Sequence, residues 1–146
     1  MSKALAFWDA SALVPLCVYQ TASAQAHAYI RKLAPIVWWG SMVEVHSAIS
    51  RLNRTGELTD VEKKGALARL TKLSRGWREV LPADQVRSLA TQLLDIHELK
   101  AADALQLAAA LTWCRQRTSK TNFVCGDQKL SQAAKAKGFF VLQIGD

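Results

Sequence analysis

The stretch "LAFWDASALVPL", residues 5–16, decides how this chain is read. Leu5, Ala6, Phe7 and Trp8 form a short apolar run of strand type. Ala12, Leu13, Val14 and Leu16 form a second apolar run, of helical type, after Ser11. Asp9 stands between them. A carboxylate carried into apolar surroundings is costly unless it is paired or holds a cation. Asp9 therefore either has a partner at the end of a strand or stays at the surface and caps the following helix.

Working outward, apolar runs and helical periodicities alternate. The first strand is expected at Ala4–Trp8. A helix or helix pair follows from Ser11 to about Leu33 and is broken by Pro35. "IVWW", Ile36–Trp39, reads as the second strand, ended by Gly40. Met42, Val45, Ile49 and Leu52 then recur at helical spacing up to about Gly56. Thr59 or Asp60 caps the next helix, whose apolar line is Val61, Leu67, Leu70 and Leu73. "WREVLP" supplies a short third strand, Pro82 opens a helix over Ala83–Leu94, and a long helix covers roughly Lys100–Arg117. "NFVC", Asn122–Cys125, is a strand. Gln128–Lys137 is a helix closed by Gly138, and "FFVL", Phe139–Leu142, is the last strand. Strands alternating with helices give an α/β fold with a central parallel sheet flanked by helices. The length of 146 residues suits one domain over residues 1–146.

The composition narrows the function classes. With 19 Lys and Arg against 12 Asp and Glu, the formal charge is +7, which favours a polyanionic partner. Cys17, Cys114 and Cys125 lie in apolar stretches without metal-ligand spacing, so they are expected as small core residues rather than a disulfide framework or zinc site. No run suits a membrane span and the first ten residues do not suit a signal peptide, so the expectation is a cytoplasmic protein with no membrane association.

Against this basic background four acids recur at equivalent places. Asp9 follows the first strand, Glu44 lies in the first turn after the second, and Asp127 follows "NFVC". Connections in a parallel sheet run the same way, so the three should emerge at one edge, where ligands bind in such sheets. In "KAADALQLAAAL" the polar residues after Lys100 are Asp103 and Gln106, three apart and therefore on one helix face. Each acid also has a purely structural role open to it. Asp9 or Ser11 can cap one helix and Asp127 another. Ser41 and Glu44 fit a capping box, and Asp103 suits a helix's first turn. Capping alone does not explain why the acids collect at one edge. Gathered carboxylates repel one another, and hard divalent cations such as Mg²⁺ or Mn²⁺ relieve this with oxygen ligands. Two such ions can activate water and stabilise a leaving oxygen at a phosphate.

"DASAL" after a strand, a Glu early in a helix, "KAADALQLAAAL" and "FVCGDQKLSQAAKAKGFFVL" together resemble a PIN domain, most similar to the VapC-type ribonuclease toxins of toxin–antitoxin pairs, over residues 4–142. The resemblance implies a PIN-like three-layer sandwich and a Mg²⁺- or Mn²⁺-dependent endoribonuclease binding one or two ions. Asp9, Glu44, Asp103 and Asp127 match the four family acids as metal ligands. Ser11 matches the small hydroxyl residue near the metal-bound phosphate or water. The chain departs from many relatives at Cys125-Gly126, where Thr or Ser is common. The resemblance further implies an RNA substrate, a cognate antitoxin and a homodimer. An RNA-processing nuclease that is not a toxin, a non-catalytic binding module and a hydrolase of small phosphoesters are the competing functions.

His27, His46 and His97 lack ligand spacing. Of Trp38 and Trp39, alternation along a strand sends at least one into the core, leaving the other as a candidate base-stacking surface. Trp77-Arg78 is a further candidate RNA contact. Lys63, Lys64, Arg69, Lys72 and Arg75 on one helix form either a solvated face or an RNA-backbone track. Leu13, Val14, Leu16, Val18, Tyr19 and Tyr29 exceed what one buried face requires, which suggests a groove for a partner helix or a second copy.

Overall fold

The computed structural model describes residues 3–145. Five strands form one parallel sheet: β1 Ala4–Trp8, β2 Leu33–Trp38, β3 Arg78–Val80, β4 Asn122–Cys125 and β5 Phe140–Gln143. Their spatial order is β3-β2-β1-β4-β5. The helices are α1 Ala10–Cys17, α2 Ser23–Ile30, α3 Ser41–Arg54, α4 Asp60–Ser74, α5 Asp84–Ile96, α6 Ala101–Trp113 and α7 Gln128–Ala136. No helix among the described residues is long and apolar enough to cross a membrane.

The strands have two greasy faces, and period-two alternation divides them. Phe7, Ile36, Trp38 and Phe123 face a core closed by α5, α6 and α7. Ala6, Trp8, Val37 and Val124 face the other, closed by the first four helices. On the first face the rings of Phe7 and Phe123 stack at 5.4 Å, and Phe139 extends the row. Six alanines and leucines of α6, from Ala104 to Leu111, are buried with them, so this helix is held tightly against the sheet.

The main departures from the sequence-based expectations have local causes. Pro35 does not break the chain before β2. It lies inside the strand, opposite Ala6, in the part of β2 that β3 does not reach, where a missing N–H removes no bond to β3. The long helix ends at Trp113 rather than Arg117, because Arg115 and Gln116 take left-handed backbone (φ 52° and 60°) and the Gln116 N–H turns back to the Leu111 carbonyl. The last strand starts one residue later than expected. Phe139 is buried in the core while Phe140 is exposed. Val61, expected on the apolar line of its helix, is 82% exposed. Thr59 and Glu62 form the capping box that starts this helix.

Candidate metal and phosphate site

β1 and β4 are neighbours, and the connections leaving them run to opposite sides of the sheet. This is the switch point of the topology, and a crevice opens there beyond the strand ends. Asp9 ends β1 and Asp127 ends β4. The crevice is a pocket of about 590 Å³ whose walls include Ser11, Glu44, Arg51, Lys100, Asp103 and Asp127. Asp9 is 3% exposed and lies behind the wall made by Ala10 and Ser11. Glu44, Asp103 and Asp127 thus line one pocket, while Asp9 is buried beside it.

Two of them do cap helices. Asp9 accepts the Ser11 N–H at 3.1 Å, and Asp127 accepts the Leu130 N–H at 2.8 Å. Glu44 does not. Gly40, not Ser41, precedes the first turn of α3, and no side chain caps that helix. The capping box open to Ser41 and Glu44 in the sequence is therefore not formed. Instead Gln106, fully buried on α6, donates from Nε2 to Glu44 Oε2 at 2.8 Å and to Ser41 Oγ at 2.9 Å. One amide ties two helices distant in sequence, α6 and α3, and holds the Glu44 carboxylate at the pocket wall. Gln106 was visible in the sequence as the polar partner of Asp103 on a greasy helix; its bond to Glu44 was not.

Ser11 is equally committed. Its hydroxyl donates to Asp9 Oδ2 and accepts the Gly126 N–H at 2.8 Å. Pro15 has no N–H for the Ser11 carbonyl. Gly126 packs against that carbonyl so closely that a Cβ there would lie 3.2 Å from it. The missing side chain at Gly126 lets the end of β4 press against the start of α1. Cys125 lies beneath, with Sγ 3.8 Å from Asp9 Oδ2, and burial pushes its thiol up to about 12, so it stays protonated.

The electrostatics disfavour the charged forms of three of these acids. Burial raises the Asp9 carboxyl from 3.8 to about 6, against the lowering effect of its Ser11 bonds, and Asp103 adds repulsion. Burial raises Glu44 from 4.5 to about 7, with Asp9 and Asp103 adding to it and the Gln106 bond opposing. Burial and the charge of Asp127 raise Asp103, while Lys100 opposes. Each acid feels another, so negative charge here lacks compensation. Among the described residues, no three His, Cys, Asp or Glu side chains come together as a group that could hold a metal ion. The donors are hard oxygens around an open pocket, which suits Mg²⁺ or Mn²⁺ carrying several waters on one or two carboxylates rather than a metal caged by protein.

The cations of the pocket are Arg51 and Lys100, neither of which the sequence singled out. The basic residues of α4 lie elsewhere. Arg69 donates from Nε to the Cys17 carbonyl at 2.7 Å, and with Lys72 it borders a separate groove of about 560 Å³ beside Lys3, Ala34 and Pro35, at the amino ends of the strands. Trp77 is buried and bonded to Glu79 Oε2, so it is no RNA contact. None of the three histidines lines the carboxylate pocket. Leu13, Leu16 and Val18 are core residues, Val14 lines the pocket, and Leu16 with Ile30 and Leu73 makes the apolar floor of the second groove.

No protein-family model and no curated protein sequence matches the chain. Solved structures do. FitAcB from Neisseria gonorrhoeae superposes with a TM-score of 0.65 at 15% identity, covering 95% of this chain and 97% of that one. PAE2754 from Pyrobaculum aerophilum gives 0.62 at 20% identity, covering 94% and 89%. A chain of a toxin–antitoxin complex from Klebsiella pneumoniae gives 0.55 at 14% identity, covering 85% and 88%. At these identities what is shared is the fold: the five-stranded parallel sheet between two helical layers is the PIN-like three-layer α/β architecture.

Proposed function

We propose that this chain is a Mg²⁺- or Mn²⁺-dependent endoribonuclease and the toxin of a toxin–antitoxin pair. The observation that carries the catalytic half is the mutual disposition of the acids. Glu44, Asp103 and Asp127 line the switch-point pocket, Asp9 lies buried beside it, and the charged forms of Asp9, Glu44 and Asp103 are disfavoured by burial and by neighbouring acids. A binding module gains nothing from such an arrangement, whereas a hydrolase that recruits a divalent cation does.

Asp9, Asp103, Asp127 and Glu44 would hold the metal, one or two ions. When bound, a hard divalent cation supplies a water of lowered pKa and positive charge against the phosphate oxygens. The chain's own residues do the rest. Arg51 and Lys100 hold phosphates at the rim. Ser11 positions Asp9 through its hydroxyl. Gln106 occupies Glu44 Oε2 and leaves Oε1 to orient the attacking water and take its proton. The water oxygen bonds to phosphorus, the bond to the 3′ oxygen breaks, and that oxygen takes a proton. The products are a 5′-phosphate and a 3′-hydroxyl.

The toxin half is supported by likeness of fold to a chain of the Klebsiella toxin–antitoxin complex. On this reading the chain acts on cytoplasmic RNA, pairs with a cognate antitoxin and forms a homodimer.

The test is incubation of the purified chain with total RNA plus Mg²⁺ or Mn²⁺, with and without EDTA, followed by mapping of the ends. Metal-dependent internal cuts bearing 5′-phosphates are expected. Cleavage undiminished in excess EDTA refutes the metal mechanism, and absence of any cleavage refutes the nuclease. Growth arrest on expression, relieved by co-expression of an adjacent small gene, tests the toxin assignment.

A further inference from the structure

The most exposed of the five tryptophans stands at the carboxyl edge of the sheet that bears the acids. Trp39 directly follows β2, its N–H bonded to the Val80 carbonyl at 3.0 Å. The residue is 52% exposed, whereas Trp8, Trp38 and Trp77 are buried and Trp113 is half-buried. Exposure alone is ordinary, but this ring is also held in place. It meets Trp38 edge to face at 6.4 Å and 74°. Trp38 is in turn fixed beneath Gly40, where a Cβ would lie 2.6 Å from the indole Nε1. A large aromatic surface is thus packed against Trp38 and open to solvent.

Its neighbourhood points to an occupant. Val43, one turn into the helix that follows Trp39, is exposed and lines the carboxylate pocket. Glu44 is the next residue. Trp39 thus stands at the same sheet edge, four residues before a wall residue of a pocket whose cations, Arg51 and Lys100, suit a phosphate chain. A cationic groove that tracks a backbone beside an aromatic ring on which a base can lie is the arrangement that binds single-stranded nucleic acid.

We infer that Trp39 is the stacking platform for a nucleobase of the single-stranded RNA whose phosphate enters the carboxylate pocket. The inference rests on the proposed nuclease function and extends it from the reacting phosphate to the neighbouring base. Because every base has a π-face, this contact sets position and affinity rather than a sequence code.

The test uses the full chain carrying Asp9→Asn, so that the RNA stays intact, and compares it with versions that add Trp39→Ala or Trp39→Phe. Each is titrated with a short single-stranded RNA and with the same strand made abasic. Stacking predicts that Trp39→Ala weakens binding of the base-bearing strand by about 5- to 100-fold and leaves the abasic strand within about twofold. Trp39→Phe retains most of the affinity. RNA binding should also quench the tryptophan emission and shield it from iodide, a signal absent from both Trp39 variants. Equal effects of Trp39→Ala on the two strands, or no effect on either, overturn the stacking role and leave the nuclease reading standing. Failure of the Trp39-intact chain to bind any RNA overturns both.

Discussion

Asp9→Asn should make the metal-free protein more stable. Asp9 is 3% exposed, and its carboxyl is raised from 3.8 to about 6, chiefly by burial. The folded state therefore holds a proton that the unfolded chain has already lost between those two values. Below 3.8 both states are protonated and the group contributes nothing. As pH rises through the window, stability falls, and above about 6 the full destabilisation is reached. At about 1.4 kcal/mol per decade the ceiling is ~3 kcal/mol. Asparagine keeps an oxygen to accept the Ser11 N–H and removes the charge. The variant should gain about 1–3 kcal/mol over wild type near about pH 8 in EDTA, a Tm rise of roughly 3–10 °C, and nothing near about pH 3.5. Urea unfolding across this range measures both. Saturating Mg²⁺ should raise the wild-type Tm and close the gap, because the ion binds only the folded state and needs the carboxylate. Asp9→Ala, which also loses the cap, should fall about 1 kcal/mol short of Asn. A pH-independent difference, or a loss at high pH, would refute the claim that Asp9 is an uncompensated buried acid.

Gln106→Leu should unpair Glu44 and Ser41, costing about 1–3 kcal/mol in urea unfolding. It should also move the rise of activity with pH to higher pH, because the Gln106 bond lowers the Glu44 pKa from where burial alone would set it. A purely structural role would lower stability and leave the pH profile in place. Glu44→Gln can still accept from Gln106, so it should abolish most cleavage with an unchanged or slightly higher Tm; near-normal cleavage would leave a three-acid site. Changing Arg51 and Lys100 together to Ser should weaken RNA binding and flatten its salt dependence by a slope of about 1.4, whereas Lys63 and Lys64 to Ser should change the slope little.

Much of the architecture was legible along the chain because it rests on short-range patterns. Apolar runs such as "LAFW" and "NFVC" must be strands covered on both faces, and strands alternating with helical periodicities must lie parallel. A parallel sheet then sends every strand end, and so Asp9, Glu44 and Asp127, to one edge. The candidate acids were readable for that reason. Their partners were not, since contact across the sheet leaves no local trace. Gln106 reaches Glu44 over 62 residues of sequence, and Ser11 meets Gly126 over 115. Only packing decided that the capping box at Ser41 stays unformed.

Charge misled for the same reason. Five basic residues on and just after α4 look like an RNA track when counted, but two of them border the groove at the far edge of the sheet, and Arg51 and Lys100 at the pocket stand singly in the sequence. Trp77 and Trp39 are each an apolar residue beside a strand, yet one is buried and the other half-open. The sequence determined which residues can form strands, helices and a set of acids at one edge, because those follow from periodicity and connection direction. The tertiary structure alone decided which acids are desolvated, which amide orients them and which cations face them. Burial and long-range distance are properties of the packed sheet and helices, and neither exists until they close on one another.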